Sequence, residues 1–186
     1  MDSQNFTTLL WVWTLLGLAT FVLLLFVTAP YGRHSRKDWG PSIPNRLAWF
    51  LMEFVSLLVF VLSFLLGPNG IQPVTWIFFA IYASHYINRS IIWPWRTRTS
   101  GKQMPLVVAF LALCFNLING FINGYYFSAF ARVYTWDWLM DLRFILGTIV
   151  FCAGVFINWW SDQILLDLRK GGKKGYLIPR RGMFRW

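Results

Sequence analysis

Long apolar runs separated by short polar intervals set the architecture of this chain. Five runs stand out, at about Thr8–Ala29, Arg46–Leu66, Pro73–Trp93, Met104–Phe127 and Leu139–Trp160. At about 1.5 Å of rise per helical residue, each reaches across a hydrocarbon core of about 30 Å. The pattern predicts an all-α integral membrane protein, a multi-pass helical bundle with five transmembrane helices in one domain (1–186). A polar, basic segment, 161–186, follows the last span. The first run is not a cleavable signal peptide, because Met1-Asp2-Ser3-Gln4 has no basic residue and the apolar stretch is too long for one.

Composition agrees: 57% of the residues are hydrophobic and 13% charged, with a mean hydropathy of +0.51, far from a soluble domain. The positions of Lys and Arg then orient the chain. Arg33, Arg36, Lys37 and Arg46 follow the first span, and Arg96, Arg98 and Lys102 follow the third. Arg169, Lys170, Lys173, Lys174, Arg180, Arg181 and Arg185 follow the fifth. The intervening loops carry only Arg132, so the positive-inside rule puts the N-terminus outside, or in a lumen, and the basic tail in the cytoplasm. The membrane is the endoplasmic reticulum for a eukaryotic chain and the inner membrane for a bacterial one. Topology and anionic lipid account for the net charge of +10 without nucleic acid, and a polyanionic cofactor on the cytoplasmic side would also be attracted.

Polar residues inside the spans carry the candidate chemistry, because hydrocarbon offers them no water. Glu53 is the only glutamate and lies inside the second run. Such a carboxylate usually faces a protein interior or wet cavity; its plainer role is a structural ion pair with a cation such as Arg89. Near the end of the third run, His85-Tyr86-Ile87-Asn88-Arg89-Ser90 concentrates polar side chains, although Arg89 also has the length to snorkel to the interface. In the fourth, Asn116, Asn119 and Asn123 share one helix face, either as a site or as interhelical glue. Gly120 and Gly124 beside them permit close approach by a helix or a ligand. Asn158, Asp162 and Arg169 form one stripe if the fifth helix continues beyond the membrane. Cys114 and Cys152 read as small apolar residues, and no metal-ligand spacing, Gly-rich dinucleotide fingerprint or Walker loop is present.

The segment Ile157-Asn-Trp-Trp-Ser-Asp162-Gln-Ile-Leu-Leu-Asp-Leu-Arg169-Lys-Gly-Gly-Lys-Lys-Gly-Tyr176-Leu-Ile-Pro resembles the steroid 5α-reductase family. So do Ala48-Trp-Phe-Leu-Met-Glu53, His85-Tyr86-Ile87-Asn88-Arg89, Gly101-Lys-Gln-Met-Pro-Leu106, Asn119-Gly-Phe-Ile-Asn-Gly-Tyr-Tyr126 and Asp141-Leu-Arg-Phe-Ile-Leu-Gly147, in register from about Asn45 to Trp186. The resemblance implies a seven-helix membrane enzyme that reduces the 4,5 double bond of 3-oxo-4-ene steroids with NADPH. It assigns Glu53 and Tyr86 to the 3-oxo group and Asn158, Asp162, Arg169 and Tyr176 to the dinucleotide. Asn119, Arg89 and Arg98 join these as candidate cofactor contacts. The family usually has Gln before the glutamate, where this chain has Met52. The family pattern continues with a further motif and two more helices, so these residues are expected to be the N-terminal part of a longer polypeptide.

Enone reduction needs a hydride at the β-carbon and a donor aimed at the carbonyl oxygen, where negative charge builds. A tyrosine hydroxyl backed by a protonated or hydrogen-bonded carboxyl group supplies one. A flat, lipid-soluble steroid or other hydrophobic enone would arrive from the bilayer, and the cofactor from the cytoplasm. The competing readings are a membrane reductase of a polyprenal or enoyl thioester, and a non-catalytic transporter with Glu53 and Arg89 on its path; no inverted repeat supports the latter. Beyond substrate and membrane lipid no obligate partner is evident, and a monomer is expected.

Overall fold

The computed structural model of the protein describes residues 1–28, 34, 39–69, 71–97, 99, 101–131, 134–168 and 177–185. Helix α1 spans Ser3–Phe26, opened by Asp2, whose carboxylate accepts the Asn5 N–H at 2.7 Å. A strand, β1 (Ser42–Pro44), leads into α2 (Asn45–Leu65), and α3 follows at Thr75–Ile87. A π-helical turn, Asn88–Ile92, joins α3 to the short α4 (Trp93–Arg96). Strand β2 (Gln103–Pro105) leads into α5 (Leu106–Ala129), and α6 runs Leu142–Asp167. Helices α1, α2, α5 and α6 are each long and apolar enough to cross a membrane. Much of the apolar surface of α1 and α6 is exposed, as lipid-facing helices require.

The third expected span differs in its inner build. It is one continuous helical rod from Thr75 to Arg96, interrupted by the π turn, in which the Trp93 N–H reaches back five residues to the Asn88 carbonyl. The interruption directly precedes Pro94. A proline has no N–H to donate, and its ring presses on the carbonyl four residues earlier; a widened turn relieves that clash. The Pro94 carbonyl is then taken by Arg46 Nε at 3.1 Å, which ties this end of the rod to the start of α2.

A second addition to the helical expectation is the antiparallel ribbon pairing Ile43 with Met104. Both are residues before a proline, a position biased to extended backbone, and each strand ends in the proline that precedes its helix. The ribbon sets the starts of α2 and α5 side by side, and the contacts between the two helices show that they run the same way. Their contacts keep a nearly constant offset: Asn116 Nδ2 meets the Met52 carbonyl at 2.7 Å, and Ser128 Oγ meets that of Ser63 at 2.8 Å. Between these points Gly120 and Gly124 lie against the backbone of α2 at Ser56 and Phe60, so the close approach their size permits is to a helix. Met52 closes the ribbon end of this interface, packed with Ala48, Met104 and Ala109.

Helix α1 rests on α5 through Phe6, whose ring sits 4.9 Å from that of Phe130, and through Trp13 against Phe115 at 5.0 Å. At the start of α6, Asp141 caps the helix by accepting the Arg143 N–H at 2.8 Å and also pairs with its guanidinium at 2.8 Å. That guanidinium, chiefly by hydrogen bonding, holds the Asp141 carboxyl down at about 2. Helix α6 continues well past the expected end at Trp160, and a 3-10 turn at Gly182–Arg185 folds back to it, with Gly182 close to Ile164 and Trp160.

Candidate active site

Helix spacing brings the polar residues of three elements to one place. On α2, Trp49 and Glu53 lie one turn apart on a common face. Arg89, from the π turn, places its guanidinium 4.9 Å from the centre of the Trp49 ring and 3.6 Å from Glu53 Oε1. The structural pairing open to Glu53 from sequence is therefore present. Its 3.6 Å separation is longer than a charge-assisted hydrogen bond, and the two side chains keep 14% and 19% exposure. Among the described residues, Arg89 and Arg96 also bring positive charge to Asp162, an α6 carboxylate only 8% exposed. Arg96 further donates to Gln163 at 3.1 Å, and Gln163 to Asp167 at 2.9 Å, linking α4 to α6.

Tyr86 sits in a second, adjoining network. Its ring stacks on Tyr82 at 4.6 Å, and His85 meets its edge at 5.2 Å. Asn119 Nδ2 donates to the Tyr86 hydroxyl at 2.9 Å and to that of Tyr82 at 3.1 Å. The Tyr82 hydroxyl is also 2.8 Å from the fully buried Ser56 Oγ. The Tyr86 hydroxyl faces Asn116 Oδ1 at the long distance of 3.5 Å. Asn119, grouped by sequence with the cofactor residues, thus stands behind two tyrosines, while Asn116 joins α5 to α2.

In front of the tyrosines lies a cavity of 710 Å³ between α3, α5 and α6. It is walled by Phe78, Phe127, Phe151 and Trp159, with Tyr82, Tyr86, His85, Asn88, Asn123 and Asn158 as its polar points. Such a volume, largely apolar with a few convergent polar groups, is of the size that takes a small organic ligand, about 300–1,000 Å³. Of the residues singled out from sequence, Tyr86 and Asn158 line this cavity together, Glu53 and Arg89 pair with each other and are not among its lining residues, and Asp162 lies one turn beyond Asn158 on α6. Arg98, Arg169 and Tyr176 fall outside the described residues. Met52, where a glutamine is usual in the resembling family, turns its side chain into the apolar α2–α5 interface.

Sequence reasoning missed Tyr82 and Ser56. The signal was there: Tyr82 precedes Tyr86 by one helical turn, and Ser56 follows Glu53 by three residues. The π turn was signalled by Pro94 at the end of an unbroken helical pattern.

Comparison with known proteins points in a single direction. The sequence profile of the family described as 3-oxo-5-alpha-steroid 4-dehydrogenase matches residues 102–186. The chain is 40% identical over 176 residues to steroid 5-alpha-reductase DET2 of Arabidopsis thaliana, covering 90% of this chain and 66% of that protein. It is 36% identical over 186 residues to steroid 5-alpha-reductase DET2 of Solanum lycopersicum, covering 98% and 72%. To 3-oxo-5-alpha-steroid 4-dehydrogenase 1 of Bos taurus it is 38% identical over 175 residues, covering 92% and 67%. The chain therefore spans about two thirds of the length of the curated relatives it matches.

Proposed function

The chain belongs to the steroid 5α-reductase family, and on that premise we propose that it takes part in the NADPH-dependent reduction of the 4,5 double bond of a 3-oxo-4-ene steroid. The observation that carries this reading is Tyr86: it lines a largely apolar cavity of 710 Å³, its hydroxyl accepts from Asn119 at 2.9 Å, and its contact to Asn116 Oδ1 is long, at 3.5 Å.

A ketone entering that cavity meets Tyr86 on its wall. Tyr86 donates to the 3-oxo oxygen and stabilises the charge that develops there, a contribution of about 10²–10³ in rate for a well-placed donor. Glu53, by the family motif, steadies the polar end of the substrate, with Arg89 stacked on Trp49 keeping the carboxylate in place. The rings Phe78, Phe127 and Phe151 give the cavity an apolar wall suited to a hydrocarbon skeleton. The reaction balances as hydride to C5, a proton to C4 and release of the oxidised dinucleotide.

The donor set suits a dinucleotide. Asn158 offers an amide at the cavity wall, Asp162 a buried carboxylate for hydroxyl or amide hydrogens, and Arg89 and Arg96 positive charge beside it. Arg98, Arg169 and Tyr176 are proposed for the same group on the strength of the family motif. NADPH, when bound, supplies the hydride; the 2′-phosphate that distinguishes it from NADH calls for the basic residues of the tail. In this reading the basic tail is cytoplasmic and the N-terminus lies on the other side.

The test is NADPH oxidation by the intact purified protein in detergent with progesterone or testosterone, with product identified by mass. Steroid-dependent oxidation and a gain of two hydrogens support the proposal. NADPH binding without steroid turnover would redirect it to another lipid enone, and no binding at all would overturn it.

A further inference from the structure

Two stacked tyrosines, Tyr82 and Tyr86, both line the cavity, and the hydrogen-bond network behind them decides which one has a proton to give. The orientation of each amide in that network is fixed by a main-chain carbonyl, which can only accept. Asn123 Nδ2 lies 2.8 Å from the Asn119 carbonyl, so that end of the Asn123 side chain is the NH₂ group. The same nitrogen is 3.3 Å from Asn119 Oδ1, so a flipped Asn119 would set two NH₂ groups against each other. Asn119 Nδ2 therefore points the other way, and its two hydrogens go to the Tyr82 and Tyr86 hydroxyl oxygens at 3.1 and 2.9 Å. By the same logic the Met52 carbonyl fixes Asn116 Nδ2 at 2.7 Å and leaves Asn116 Oδ1 facing Tyr86.

The two phenols then differ. The Tyr82 hydroxyl has short partners on both sides, Asn119 and Ser56 at 2.8 Å. The Tyr86 hydroxyl accepts one short bond; Asn116 Oδ1 lies 3.5 Å from it, well beyond the usual 2.5–3.0 Å of such a bond, and its other neighbour is the Tyr82 hydroxyl. Asn119 does not line the cavity.

We propose that Asn119 is the positioning residue of this site: held by Asn123, it occupies the acceptor side of both tyrosines, and so turns the Tyr86 proton toward a ketone oxygen in the cavity while Tyr82 serves as a saturated backing. The inference rests on the reductase reading and deepens it. An acceptor at position 119 would reverse the direction of the Tyr86 proton, drawing it away from the substrate.

Asn119→Asp makes that change with almost no change in shape. In the intact protein in lipid nanodiscs, with NADPH and progesterone, Asn119→Asp is expected to lower kcat by about 30-fold or more, with KM for the steroid within about three-fold of wild type, since loss of an aimed donor costs about 10²–10³. In a Tyr86→Phe background the same substitution should cost nothing further, because Asn119 acts through that hydroxyl. Asn119→Ala, which leaves the hydroxyl free to rotate, should lie between wild type and Asn119→Asp. If Asn119→Asp does not yield folded protein, Asn119→Ala alone and with Tyr86→Phe carries the same non-additivity test. A kcat for these variants equal to wild type, or losses that multiply with Tyr86→Phe, would overturn the assignment while leaving the reductase reading intact. A wild-type protein that neither reduces nor binds a steroid enone, read by quenching of its tryptophan fluorescence, would overturn the reductase reading and the positioning role with it.

Discussion

Replacing Gly120 by alanine strikes the contact on which the whole site depends. A Cβ at that position would stand 2.5 Å from the Ser56 carbonyl oxygen and 3.2 Å from Phe60 N, both backbone atoms that no rotamer change can move aside. Ordinary contact begins at 3.4 Å, so α2 and α5 must separate locally by about 0.9 Å. Overpacking of this kind costs about 1–3 kcal/mol, and the gain in helix propensity from glycine to alanine returns up to about 1 kcal/mol. A net destabilisation of about 1–2 kcal/mol is expected. The separation also lengthens the cross-helix bonds on either side, from Asn116 to the Met52 carbonyl and, through Ser56, to Tyr82, so activity should fall more than stability alone explains. Adding Gly124→Ala, whose Cβ meets the Phe60 carbonyl, should cost less than the sum of the two, because the first separation already relieves the second clash. The assay is thermal unfolding of purified protein in one detergent, followed by tryptophan fluorescence, with Gly17→Ala as the control, since nothing lies within 4 Å of that position. An unfolding temperature for Gly120→Ala at or above that of wild type would refute the close α2–α5 packing.

Glu53→Gln should keep a measurable fraction of turnover, because an amide still bonds a ketone, whereas Glu53→Ala should lose nearly all; full activity in both, measured as steroid-dependent NADPH oxidation, would remove Glu53 from the reaction. Arg89→Met leaves that carboxylate without its cation and should destabilise the protein by about 1–3 kcal/mol, less than the 3–5 typical of a fully buried pair because both side chains keep some exposure. Arg89→Lys keeps the charge but not the flat stacking on Trp49, and should fall between wild type and Arg89→Met in the same unfolding assay. The Asp141 carboxyl is held at about 2 in the fold, below its unfolded value of about 3.9, so the stability it adds is present above the higher value and is lost as pH falls through the lower. Asp141→Asn should flatten the acid side of the unfolding profile between those limits, and an unchanged profile would deny Asp141 its role at the start of α6.

The helices were legible because hydrocarbon imposes length and apolarity on whatever crosses it, and those properties are local to each run. Their register was not. Nothing in the run around Ser56 says that it meets Gly120; that follows from the ribbon of Ile43 and Met104, two short extended segments some sixty residues apart whose only local sign is the proline after each. Glu53 was conspicuous as the single glutamate, yet its partner rests on a π turn that brings Arg89 over Trp49, a geometry no periodicity announces. The three asparagines of α5 were read correctly as one face, but whether such a face serves as glue or as a site depends on what it touches. Here Asn116 binds a neighbouring backbone while Asn119 addresses the tyrosines.

The most direct measurement follows the hydride. The intact protein is supplied with progesterone and NADPH deuterated at the reactive C4 position of its nicotinamide, and the product is examined by mass and by NMR. Wild type should place one deuterium at C5 of a saturated 3-oxo steroid, and Tyr86→Phe should do so far more slowly with steroid binding retained. A product with no deuterium at C5, or undiminished transfer in Tyr86→Phe, would contradict an enone reductase in which Tyr86 holds the ketone.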